Sequence, residues 1–448
     1  MIKPRAWLLV VLALAAPLCA QQKLRVIVET DAGGDPDDEQ SLVRFLVYAN
    51  EWDVEGIIDN RPVTRPVENL NPERTGLGIV QRLVRAYGKV WPHLNENAPG
   101  YPTVETLLAR TVAGYGDSEA GVKLIIAAVD RDDPRPIWFM NWGTDWGSAP
   151  SSLQLALDRV LDERGRDGYA KFKNKILLSS ADRFRDHTSS ILPHFRMWVE
   201  KEWPTVEGDN WYHRVGPLTA TAGGFDLKRD VLTGHGALGA LYPTNTNIPQ
   251  KEGDSLTFLY LIPTGMNDPM HPEWGSWSGR YGVWDEYIRG IPTYYAPNVR
   301  DRWQGTISRD NTLRRWAVDL QNDFRARMDW CVKPYREANH NPIAVLNGDT
   351  TRKILEVTTR VGATVSLSAA GSSDPDGNAL NYEWIPYPEA GGYDGEFWPD
   401  DLHSAQTTVT VPDDAAGKDL HVILAVRDNG KPPLAAYRRI ILHVEPQR

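Results

Sequence analysis

The sequence predicts an α/β protein: a mainly parallel open sheet covered by helices, followed by a C-terminal β-sandwich of immunoglobulin-like type. Three observations carry this. Short apolar runs alternate with segments of helical spacing over the first half of the chain, the signature of a helix-covered parallel sheet. Between about Pro204 and Tyr295, Gly, Pro, Trp and Asn are frequent and periodicity is poor, as in long functional segments. From Ile343 onward short alternating strands are separated by turn residues, the pattern of a sandwich. The expected division is a signal peptide over 1–20, an α/β domain over 21–338 and a sandwich over 339–448, with Glu337-Ala-Asn-His-Asn-Pro342 as linker.

Taken in order, the chain opens with Lys3 and Arg5, an apolar run from Trp7 to Leu18, and Cys19-Ala20-Gln21. A basic start, a short apolar core and a small residue before a polar stretch describe a secretory signal cleaved near Ala20. The run is too short for a comfortable membrane span, and no later segment reads as one. The expected location is therefore secreted or periplasmic. Arg25–Glu29 is a short apolar strand, and Glu39–Tyr48 follows with Leu42, Phe45 and Leu46 at helical spacing. Val54–Ile58, Pro136–Met140 and Lys175–Ser179 read as further strands. Thr75–Tyr87, Glu119–Val129, Ser152–Leu161 and Leu313–Arg327 read as helices. In the last part, strands are expected over Ala363–Ser368, Asn381–Trp384, Thr407–Val411, His421–Val426 and Arg438–Val444, with a turn at Ser373-Asp-Pro-Asp-Gly377.

Formal net charge is −10, and loss of Lys3 and Arg5 makes it more negative. That argues against nucleic acid or an anionic membrane as partner. Of two cysteines, export leaves only Cys331, so no intrachain disulfide is expected. Seventeen tryptophans are many. Most are expected in the core, with Trp274, Trp277, Trp284 and Trp398 as candidates for stacking on sugar rings.

The chemistry concentrates in Asp31-Ala-Gly-Gly-Asp-Pro-Asp-Asp38, directly after the first strand. Ligands of open α/β sheets sit outside the carboxyl ends of the strands. Four carboxylates in a Gly-bent loop repel one another, and stay ionised together only if water screens them or a cation sits among them. Oxygen-only donors select a hard cation, with Ca²⁺ ahead of Mg²⁺. A solvated loop whose last Asp caps the next helix has the same sequence. A second polar and aromatic segment, Thr264–Trp277, offers Asp268 as a further carboxylate, although Asn-Asp-Pro is also a common turn.

Strand, Asp-x-x-Gly, Asp-Asp, helix resembles the nucleoside hydrolases. The acidic loop with Ser41–Leu46, Gly100-Tyr-Pro102, His235–Pro243, Glu252-Gly-Asp-Ser255, Phe258–Pro263 and His271–Trp277 is similar to a secreted nucleoside-hydrolase-like family named after a bacterial cellulose-binding protein. Members join that domain to a C-terminal immunoglobulin-like one. The resemblance implies Asp31 and Asp38 as calcium ligands, Asp268 as a late third and Asp37 as general base, with Asp31 a rival for that role. It also implies Asn60 as a sugar contact and a main-chain ligand near Trp142–Thr144. Asp35, with Gly34, is extra relative to the nucleoside-hydrolase loop, and is expected to supplement or replace a ligand. Asn267 stands where some of those enzymes carry a His that helps the base to leave. With His271, Trp274 and Trp277 it completes the expected substrate-facing set.

The implied activity is calcium-dependent hydrolysis of an N- or O-glycosyl bond in a carbohydrate or nucleoside-like substrate. His187, His213, His235, His271 and Glu273 are the candidates for an acid that protonates the leaving group. The competing expectation is a binding protein for cell-wall, cellulose-like polysaccharide without turnover.

Overall fold

The computed structural model describes residues 22–115, 118–142, 151–180, 205–207, 215–283, 294–295 and 299–446. The expected signal segment, Thr144, His187, His213 and Trp284 lie outside them. No helix among the described residues is long and apolar enough to cross a membrane.

The first domain follows the order β1 (Leu24–Thr30), α1 (Asp37–Val47), β2 (Trp52–Asp59), α2 (Gly76–Asn97), α3 (Val104–Ala109), β3 (Thr111–Ala113), α4 (Ala120–Asp130), β4 (Ile137–Trp142), α5 (Ser152–Lys173), β5 (Ile176–Ser180) and β6 (Thr205–Glu207). Short helices α6 (Val215–Thr219), α7 (Gly236–Gly239) and α8 (Ser255–Leu259) follow, then β7 (Gly282–Val283), β8 (Tyr294–Tyr295), the hairpin β9 (Asp301–Trp303) and β10 (Thr306–Ser308), and helices α9 (Asn311–Arg314) and α10 (Ala317–Trp330). The main sheet has strand order β3-β2-β1-β4-β5-β6-β8-β7. Its pairs are parallel except β7 with β8. The chain winds outward from β1 in one direction and, after β4, in the other, so the β1/β4 boundary is the topological switch point.

The period of two in β1 explains both faces. Val26 and Val28 join the cluster containing α1 and α2, and Ile27 joins the one containing α4 and α5. Glu29 shares the Ile27 side. Its carboxylate accepts from Ser151 Oγ and from Ser152 N, both at 2.7 Å, at the N-terminus of α5. An acid two residues before Asp31 is therefore a helix partner, and Thr30, on the other face, points to the loop.

Helix α2 runs ten residues beyond the Tyr87 expected from sequence. The continuation passes through Gly88, where a Cβ would stand 2.8 Å from Val104 Cγ2. The missing side chain is what lets α3 pack there. The tryptophans behave mostly as core: Trp52, Trp142, Trp316 and Trp384 are fully buried, and Phe45 stacks on Trp52 at 5.2 Å.

The C-terminal part contains β11 (Leu355–Thr359), β12 (Thr364–Ser368), β13 (Leu380–Pro386), β14 (Gln406–Thr410), β15 (Asp419–Asp428) and β16 (Ala435–Val444). They form a β11-β16-β15-β13 sheet and a β12-β14 pair, consistent with the expected sandwich. β11, with Glu356, Val357 and Thr358 exposed, carries too little alternation to be read from sequence. In β15, Leu420, Val422, Leu424 and Val426 fill the sandwich core, and Ile423 and Ala425 join the core of the first domain. A strand buried on both faces reads as a continuous apolar run, and here it welds the two domains together.

Candidate metal centre at the sheet switch point

The acidic loop leaves β1 at the switch point. Gly33 adopts φ +96° with Thr64 Cγ2 2.9 Å from where a Cβ would stand, so only glycine fits that turn. Helix α1 begins at Asp37, and its first turn is acidic, as the helix dipole favours. Oxygens of Asp37, Asp38 and Asp254 lie within 4.8 Å of one another, and all three residues are buried. Thr30 Oγ1 donates to Asp38 Oδ1. Oδ2 of Asp254 is buried without a hydrogen-bond partner.

Asp254 is brought in by α1 itself. The Gln40 side chain accepts from the N–H groups of Lys251 (2.8 Å) and Glu252 (3.0 Å). Arg44 forms a buried ion pair with Glu252, Nε to Oε2 2.5 Å. Glu252, at φ +45°, turns the chain so that Asp254 faces the first turn of the helix that holds it.

Burial, followed by the neighbouring carboxylates, pushes Asp38 and Asp254 well above the usual carboxylate range. Burial also lifts Asp37 to about 7, opposed by the Lys251 ammonium 3.6 Å away. Asp31 is raised by burial and restrained by Arg61, its ion-pair partner. Three buried carboxylates that cannot ionise together, one with an oxygen lacking any partner, fit a hard divalent cation. The all-oxygen donor set excludes the softer transition-metal pattern.

The structure redistributes the sequence assignments. Asp37 and Asp38 are in the group. Asp31 stands beside it, its side chain and carbonyl both held by Arg61. Asp35 is outside it: with a side chain 40 % exposed, it is the ion-pair partner of Lys251, which is only 3 % exposed. The extra acid is thus matched by a cation rather than added to the ligands. Asn60, the expected sugar contact, is buried just after the end of β2, its N–H donating to the Thr30 carbonyl at 3.0 Å, so it borders the loop.

The third carboxylate is Asp254 and not Asp268. Asp268 Oδ1 accepts from Met270 N at 2.8 Å, closing a local turn. Asn267, expected to face substrate, is engaged locally: its Oδ1 accepts from Thr264 Oγ1 (2.8 Å) and its Nδ2 donates to the Tyr260 carbonyl (2.9 Å). His271 stacks on Trp274 at 3.8 Å and pairs with Glu273, Trp274 meets His421, and buried Trp277 meets Tyr437. The whole segment turns toward the C-terminal domain. Local spelling cannot separate an Asn-Asp-Pro turn from a ligand. His235 is paired with Asp329.

Sequence reasoning missed Asp254, Lys251, Arg61 and Gln40 as site residues. A signal for one existed, since Glu252-Gly-Asp-Ser255 is among the segments that carry the family likeness.

Buried carboxylates at the switch point of a parallel sheet, with a sandwich welded behind it, define a nucleoside-hydrolase-like protein. The chain belongs to the family described as "Cellulose-binding Sde182, nucleoside hydrolase-like domain", whose model matches residues 25–281. The model "Cellulose-binding protein Sde0182, C-terminal domain" matches residues 364–444. Among solved structures, the chain is similar to a nucleoside hydrolase-related hypothetical protein from Saccharophagus degradans that is associated with carbohydrate metabolism. The identity is 33 %, over 94 % of this chain and 100 % of that one, with a TM-score of 0.72. A PKD domain from the KIAA 1837 protein (22 % identity, 21 % of this chain and 83 % of that one, TM-score 0.16) and human CDH23 EC21-23 (18 %, 23 % and 35 %, TM-score 0.18) are too weakly superposed to carry an argument. A search of the curated proteins finds no match.

Proposed function

We propose that this is an exported, calcium-dependent hydrolase of a glycosyl bond in a carbohydrate-derived substrate. The observation that carries the reading is the Asp37, Asp38 and Asp254 group with its unpartnered Asp254 oxygen. Asp38 and Asp254 would hold the cation, with Asp31 alongside. When bound, calcium supplies a Lewis-acidic centre that orients sugar hydroxyls and lowers the pKa of water. As the water oxygen bonds to the anomeric carbon and the glycosyl bond breaks, Asp37 would accept the water's proton at its carboxylate, and the departing group would take a proton from solvent. Asp31, fixed by Arg61, places negative charge where the anomeric carbon becomes oxocarbenium-like. Lys251 holds Asp35 and Asp37 in place.

The test is release of free sugar or base from nucleosides, pentofuranosides and cell-wall oligosaccharides, with and without chelator. Asp37→Ala should lose at least about 100-fold in turnover, more than the weakening of calcium binding that follows from losing one of the three grouped carboxylates accounts for once calcium is saturating. Full activity in that variant refutes the base assignment. A second reading, binding of cellulose-like polysaccharide without turnover, is supported by the family's description. Retention on insoluble glucan with no released sugar would favour it.

A further inference from the structure

A separate cleft of about 630 Å³ lies between the β9–β10 hairpin and the C-terminal domain. Its volume is within the roughly 300–1,000 Å³ of small-ligand sites. One wall is the hairpin, with Trp303 and Gln304; the other is Tyr393–Trp398. Trp398 is 59 % exposed and is the sole tryptophan among the strongly exposed large apolar residues described; Ile307, 60 % exposed, lines the same cleft. A single exposed apolar side chain is ordinary, but an indole and an isoleucine on facing walls of one cleft make a built surface.

The walls are pinned. Buried Asp301 accepts from Arg280 Nε (2.9 Å) and from the Tyr387 hydroxyl (2.5 Å), and Arg302 N donates to Glu389 Oε1 (2.8 Å) across the two domains. The turn places Gln304 at φ +46° and Gly305 at +75°, the tight geometry of a two-residue hairpin. The left-handed Gln304 is a strained position, and the residue lines the cleft.

Charge decides the occupant. Four arginines and four carboxylates line the cleft, so it offers no net field to an ion. Arg280 is paired with Asp301, and Glu383 with Arg427. Asp394 and Glu396, both exposed, have no partner among the described residues. Free acceptors beside an open indole suit a molecule with an apolar flat face and many hydroxyl donors.

We propose that this cleft binds an uncharged oligosaccharide, its pyranose face stacked on Trp398 and its hydroxyls donating to Asp394 and Glu396. The proposal deepens the glycan-binding reading and does not depend on turnover at the acidic loop. The probe is cellohexaose, titrated calorimetrically into the full chain with and without EDTA. Saturable binding that survives EDTA, weakens at least about tenfold in Trp398→Ala and is recovered in Trp398→Phe supports it. Glu396→Gln, which leaves the apolar surface intact, should weaken it as well. Absence of saturable binding overturns it, as does binding that EDTA abolishes or that Trp398→Ala leaves unchanged. Preference for oligogalacturonate over cellohexaose also overturns it. Lack of sugar release under chelator-free conditions bears only on the hydrolase reading.

Discussion

Arg44 on α1 and Glu252, far along the chain, form an ion pair in which both side chains are fully buried, 2.5 Å apart. Glu252 also accepts from the Tyr242 hydroxyl at 2.7 Å, and Arg44 lies over the Phe324 ring at 3.7 Å. Two residues after Glu252 comes Asp254. The pair therefore ties stability to the site. Arg44→Met leaves a buried carboxylate uncompensated and is expected to cost about 3–5 kcal/mol, read as a lower urea midpoint. Calcium affinity should fall with it, because Asp254 loses its anchor. Loss of stability with unchanged affinity would break that link.

Asp254 and Asp268 offer a direct contrast. Asp254→Asn removes a carboxylate from the cation group and should weaken calcium binding by at least about 10–100-fold. Asp268→Asn keeps an acceptor for the Met270 N–H and should leave affinity unchanged. Calorimetric titration of both variants decides, and the reverse ranking would restore the late carboxylate expected from sequence.

Gly76, the first residue of α2, leaves no room for a side chain. A Cβ there would stand 2.1 and 2.2 Å from the two carboxylate oxygens of Asp59 and 2.4 Å from the Ala32 carbonyl. Gly76→Ala is expected to destabilise by about 1–3 kcal/mol through overpacking. It should also lower turnover more than its stability loss explains, since Ala32 adjoins Asp31. Thermal denaturation and sugar release measured on the same preparation test this.

Acid should loosen the domain interface. His421 is fully buried, its Nδ1 accepting from Arg439 at 3.0 Å. Burial first, then Arg439, His443, Arg280 and His271, push its imidazole down to about 2. In the unfolded chain it titrates at its ordinary value, so between those values the unfolded state binds more protons. Stability is therefore lost as pH falls below about 6.5, by up to about 1.4 kcal/mol per unit. His421→Gln keeps an acceptor and does not titrate, so its urea midpoint should depend less on pH between 7 and 5.

The order of the longer strands and helices was legible along the chain because periodicity is local, whereas the short β3, β6 to β10 and the exposed β11 carry too little of it to be read. Val26 and Val28 against Ile27 record two covered faces, and the change of pattern after Ile343 records a second kind of layer. The acidic loop was legible for the same reason: a strand, two glycines and four acids are contiguous, so Asp31, Asp35, Asp37 and Asp38 stood out together, and only the family resemblance divided roles among them. Their partner was not. Asp254 and Asp268 are both short acids near Gly or Pro in a segment without periodicity, and only the fold ranks them. Gln40 and Arg44 grip residues 251 and 252 from more than 200 positions away, whereas Asp268 is spent on its own turn. Lys251, Arg61 and the role of Asp35 share that origin. Ion pairs between distant segments leave no spacing in the sequence, and in this protein tertiary packing converts a cluster of repelling acids into a site that fits a cation.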